Sequence, residues 1–129
     1  MILFYTPPDR DNIALSLAEA ICITHGGKPS PDLETPENKQ LLKQIKTDDI
    51  RLQMGGFGEP QKYLLGSEAQ EMAQRGSLVH IVVNIGEVHI LINEKTTLKQ
   101  ALDRFNHKLK WLNKHHPPRN PTNDEHQRG

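Results

Sequence analysis

Two histidines, His80 and His89, are the side chains whose type and spacing most directly suggest chemistry. They bracket the run HIVVNIGEVH, which reads as two short strands folded at Asn84-Ile85-Gly86-Glu87, with Gly86 supplying a positive φ. In that register Val83 faces Val88, Ile81 faces Ile90 and Val79 faces Ile92, so His89 falls opposite Val82 and His80 opposite Leu91. The imidazoles are then diagonal on one face, about 7–8 Å apart at Cα. Histidine titrates near neutrality and is the commonest metal ligand, so such a pair could act as acid and base or share a metal. No third ligand accompanies them, and two half-exposed histidines on a sheet face account for the same letters.

Asp9, Arg10 and Asp11 lie between the first apolar run and the first helical pattern, a position where helix N–H groups point outward and ligand loops are common. They could bind a cation or orient a substrate; capping by an aspartate, with Arg10 solvated, is the plainer account. Cys22 and His25 form C-x-x-H, half of a zinc site whose other half is missing, since Cys22 is the single cysteine. A histidine at a helix C-terminus, beside the negative end of the dipole, explains that spacing. The stretch Gly55–Pro60, GGFGEP, fits neither Walker A nor the dinucleotide fingerprint and reads as a turn. No cofactor-binding or metal-binding set is complete.

The third cluster is basic. Lys99, Arg104, Lys108, Lys110 and Lys114 lie in the pattern TTLKQALDRFNHKLKWLNK, whose Leu98, Leu102, Phe105, Leu109 and Leu112 recur at helical steps of four and three. At about 100° per residue the cations and Trp111 project away from that apolar stripe. Such a face could neutralise phosphates while the indole stacks on an unpaired base, giving affinity without reading sequence. A solvated helix face with Trp111 packed under a neighbouring loop is the alternative.

The charge layout sharpens this contrast. The 129 residues carry 16 basic and 16 acidic side chains and no net charge. Residues 1–94 hold 8 Lys or Arg against 13 Asp or Glu, a balance of −5, whereas residues 95–119 hold 7 basic residues against Asp103 alone, a balance of +6. A lone cysteine forbids an internal disulfide and fits a reducing cytoplasm. The opening ILFY is too short for a signal peptide, and no apolar run approaches a membrane span, so no membrane partner is expected.

The elements that must position these residues follow from pattern and punctuation. Ile2–Tyr5 is a short buried strand stopped by Pro7 and Pro8. A helix capped by Asp9 or Asp11 follows, apolar nearly all round, and Gly26-Gly27 ends it. Residues 28–36 form a surface loop, Thr35-Pro36 starts a short peripheral helix, and Ile50–Met54 and Lys62–Leu65 form strands about the glycine-rich link. Ser67 caps a brief helix to Gln74, and Thr97 with Gln100 forms a capping box at the start of the last one. Residues 1–114 make one globular domain; residues 115–129 lack aliphatic side chains and are expected to be a disordered polar tail. The fold class is α+β, with about five strands in a mostly antiparallel sheet, mixed if the first strand runs parallel to a later one, and helices mainly on one face.

The favoured function is a small cytosolic binding or regulatory module whose basic C-terminal helix contacts nucleic acid or an acidic protein surface. One alternative is a small hydrolase, a phosphodiesterase or nuclease, using His80 and His89 with the Asp9–Asp11 loop. Another is a homo-oligomeric protein with Trp111 at a homodimer interface.

Overall fold

The strand Ile2–Tyr5, β1, lies at the centre of the sheet, flanked on one side by Arg51–Met54 (β2) and on the other by His80–Ile85 (β4). In the computed structural model, which describes residues 2–8, 11–28, 30–55, 61–77 and 79–115, Lys62–Leu65 (β3) and Val88–Ile92 (β5) form the edges. The order is β3-β2-β1-β4-β5; β1 and β4 are parallel and every other neighbouring pair is antiparallel. The sheet is therefore mixed and mostly antiparallel, as expected.

Four helices complete the fold: α1 (Ile13–Thr24), α2 (Lys39–Gln44), α3 (Gly66–Gln74) and α4 (Leu98–His115). The inward residues Leu3, Leu52, Ile81, Val83, Ile90 and Ile92 are fully buried against the helical layer. α1 packs on both α3 and α4, which explains why Leu17, Ala18, Ala20, Ile21 and Ile23 are all sealed although they circle most of its axis. Asn12, rather than Asp9 or Asp11, caps α1: its Oδ1 accepts the Leu15 N–H at 3.0 Å. Gly26 and Gly27 end the helix at φ of 69° and 87°, the left-handed region that a side chain resists.

The opposite sheet face is open. Paired positions across all five strands place Tyr63, Gln53, Phe4, Val82 and Leu91 in one row. Tyr63 is 60% exposed, Ile2 52% and Leu91 45%.

Several local expectations need correction. The central hairpin turns on Gly86-Glu87 alone, so Ile85 pairs with Val88, Val83 with Ile90 and Ile81 with Ile92, two residues from the expected register. Gly86, at φ 63°, occupies the first position of a two-residue loop, which glycine favours, and the shorter loop adds Ile85 to the buried face. A shift of two keeps each side chain on its expected face. The supposed surface loop 28–36 folds into a 3-10 turn at Pro31–Glu34 that buries Leu33 completely. α2 starts at Lys39, after Thr35 has turned the chain by accepting the Asn38 and Lys39 N–H groups on its carbonyl. Ser67 lies inside α3; Leu65 precedes that helix and its N–H donates to Glu68 Oε1 at 2.9 Å. The expected tail from residue 116 onward lies outside the described residues, and α4 itself runs through His115.

Candidate functional site

The start of α4 is held from two directions. Thr97 and Gln100 form the expected capping box, each side chain accepting the other's backbone N–H at 3.1 Å. The Leu98 N–H donates to Asp32 Oδ2 at 2.6 Å, so the 3-10 turn supplies a second cap from far away in the sequence. Leu98, Ala101 and Phe105 are buried. Beyond Phe105 the helix is only thinly covered, with Leu112 packed against the core and Lys108 reaching β5. From Asn106 to His115 only Leu112 is half-buried, and Leu109, expected on the core stripe, is 38% exposed. Cover along the stripe thins after Phe105, to an exposed Leu109 and a half-buried Leu112.

This outer half of α4 carries most of the predicted binding residues. Lys99, Arg104, Lys108, Lys110 and Lys114 are all exposed, and Trp111 is 50% exposed with its ring 4.4 Å from that of His115. A cavity of about 380 Å³ separates this end of α4 from the β4–β5 turn, bounded by Glu87, Val88, His89, His107, Lys108, Trp111 and Leu112. Lys108 Nζ donates across it to the His89 carbonyl, meeting a backbone acceptor on edge strand β5. The α4 wall thus combines Trp111 and Leu112 with His107 and Lys108, and the facing wall holds Glu87, Val88 and His89.

The two histidines are not diagonal neighbours. His89 pairs with Asn84, whereas His80 lies beyond the Ile81–Ile92 pair, four residues further along β4. That offset separates them by roughly 13 Å along the strands. His89 Nδ1 donates to Asn84 Oδ1 at 2.6 Å, and His80 is half-buried beside Ile2. Asp9 and Arg10 lie outside the described residues, and Asp11 is exposed. The strand register therefore separates the two histidines expected to act together. Cys22 is buried, and burial, then the nearby charge of Glu19, raises its thiol pKa. No group of three or more His, Cys, Asp or Glu that could hold a metal ion occurs among the described residues.

The sequence reading missed a second cleft. A cavity of about 820 Å³ opens where β1 ends and α1 begins, between that junction and the segment from α2 to β2. Tyr5 OH donates to Glu19 Oε2 at 3.1 Å on its inner side, and Lys43, Lys46, Asp49 and Arg51 stand at its rim. Burial pushes the Glu19 carboxyl pKa up, an effect offset in part by the hydrogen bond from Tyr5. Burial, the Glu19 charge and the same hydrogen bond push the Tyr5 hydroxyl far above its ordinary value. The sequence did hold a signal: Glu19 is the one charged residue in α1, and it interrupts an otherwise apolar or small-residue helix. The expectation of a ligand loop after the first strand fell next to this cleft, whose wall includes Thr6, Pro7 and Pro8.

No protein-family model, curated protein or solved structure matches this chain. Among the described residues no helix is long and apolar enough to cross a membrane.

Proposed function

We propose that this protein is a small binding module that holds single-stranded nucleic acid on the C-terminal half of α4. The observation that carries this reading is the exposed outer side of Asn106–His115, with Lys108, Lys110, Lys114 and a half-exposed Trp111 on its surface. Lysines neutralise phosphates, and an indole provides a face for an unstacked base, contacts that give affinity with little sequence preference. The test is fluorescence anisotropy with a labelled oligouridylate of about 12 nucleotides, at about 50 and 300 mM salt. Binding should weaken with salt, and Trp111→Ala should cost roughly 10-fold in affinity. Absence of binding at the lower salt ends the proposal, and saturable binding of a polyglutamate peptide in its place would redirect it to an acidic protein surface.

A second reading, self-association, rests on the open sheet face, where Ile2, Tyr63 and Leu91 are exposed. Light scattering decides it: a dimer that Leu91→Lys dissociates and Trp111→Ala does not would place the contact on the sheet.

A further inference from the structure

The cleft at the end of β1 has two chemically different ends. Its inner end contains Glu19, half-buried, with a neutral phenol as the only hydrogen-bond donor to its carboxylate among the described residues. A carboxylate partly removed from water gains from an opposite charge or further donors, and Tyr5 engages one of the two Glu19 oxygens. The rim is the reverse. Lys43, Lys46 and Arg51 are exposed there with Asp49, three positive charges against one negative, for a balance of +2. None of these cations forms an ion pair among the described residues, where Arg75–Glu71 is the salt bridge found. The separation of charge runs from the floor of the cleft to its mouth, across a volume of about 820 Å³ that accommodates a small metabolite.

We propose that this cleft binds a small phosphorylated amine, with the ammonium group paired to Glu19 and the phosphate held among Lys43, Lys46 and Arg51. The ammonium supplies an opposite charge and N–H donors to Glu19. A phosphate dianion matches the charge balance at the rim, and Arg51 adds a planar fork suited to its oxygens. Tyr5 acts as a positioning residue, since its hydrogen bond to Oε2 holds the carboxylate and leaves Oε1 for the ligand. This site lies apart from the residues assigned above to nucleic acid and stands or falls without them.

The test is isothermal titration of the whole chain with O-phosphoethanolamine, ethanolamine and inorganic phosphate as separate probes. The two-ended probe should bind at least ~10-fold more tightly than either one-ended probe, a margin worth about 1.4 kcal/mol. Glu19→Gln keeps the shape of the side chain and an oxygen for Tyr5, and it should reduce the affinity for O-phosphoethanolamine to that for phosphate. Lys43→Ala with Lys46→Ala, both on exposed residues, should reduce it toward that for ethanolamine; this pair carries the test should Glu19→Gln fail to fold. No heat of binding from O-phosphoethanolamine up to ~10 mM overturns the proposal. So does equal affinity for phosphate alone, or unchanged binding by a folded Glu19→Gln variant.

Discussion

Asp32 shows what a single carboxylate can do when the chain brings it back against another element. Its side chain accepts the Leu98 N–H at the start of α4 and the Ser30 hydroxyl, while its carbonyl accepts from Thr35 Oγ1 at 3.0 Å and Asn38 Nδ2 at 2.7 Å. Asp32→Ala should therefore destabilise the protein by about 1–2 kcal/mol, the usual cost of losing a helix cap, measured by urea unfolding. A loss no greater than that of an exposed-surface control would remove the capping role. The Thr97–Gln100 box was legible because both partners lie within one helical turn, whereas the Asp32 cap was not, because 66 residues separate its partners and no local pattern announces the pairing. Glu19 has a different signature, in pH. Its folded-state pKa is raised above the unfolded one, so from about pH 4.3 upward the folded chain holds the proton more tightly and stability falls as pH rises through that window. As pH is raised from about 4, wild type should lose more in Tm than Glu19→Gln does, read by circular dichroism. Tyr5 acts in the same direction at alkaline pH: with its folded pKa raised, stability should fall above about pH 10, and Tyr5→Phe should flatten that decline.

At the scale of elements, periodicity revealed which faces are apolar but not how far a partner extends beneath them. α4 demonstrates this: the spacing of Leu98, Leu102, Phe105, Leu109 and Leu112 defines one stripe, yet burial is 2% exposure at Leu98, 5% at Phe105 and 38% at Leu109. Phe105→Ala should cost about 3–5 kcal/mol, because it empties a packed site, whereas Leu109→Ala should cost less than about 1 kcal/mol. Equal losses in a denaturation series would mean that Leu109 is packed in solution. The hairpin shows a second limit of the same information. Its apolar alternation is satisfied by either of two registers two residues apart, and the choice depends on whether Ile85 joins the ladder, which turn geometry decides. The histidine pair was read from the wrong member of that set, and its apparent proximity went with it.

Across the whole molecule, α4's outer half sets a cationic surface against a body whose first 94 residues balance at −5. The parallel β1–β4 pairing and the layering of α1 between α3 and α4 carry this geometry: the chain must cross the sheet to place β4 beside β1, and β5 then starts α4 at the far end, so that it returns toward the Gly86 turn and comes to lie beside Glu87–His89. Sequence order suggested such a crossover only as an option, because pairing between distant strands leaves little local trace. The arrangement has a consequence for the proposed ligand. A polyanion lying along α4 gains from Arg104, Lys108, Lys110 and Lys114 but is repelled wherever it spreads onto the acidic body, so a narrow single strand should be preferred to a duplex. If four phosphates are neutralised, the logarithm of the association constant should fall with the logarithm of salt concentration at a slope of roughly −3 for a single strand. Replacing Lys110 and Lys114 together by glutamine should roughly halve that slope while leaving the unfolding midpoint close to wild type, since both side chains are exposed. A slope insensitive to those two replacements would mean that any anion bound by this protein sits somewhere other than on the outer half of α4.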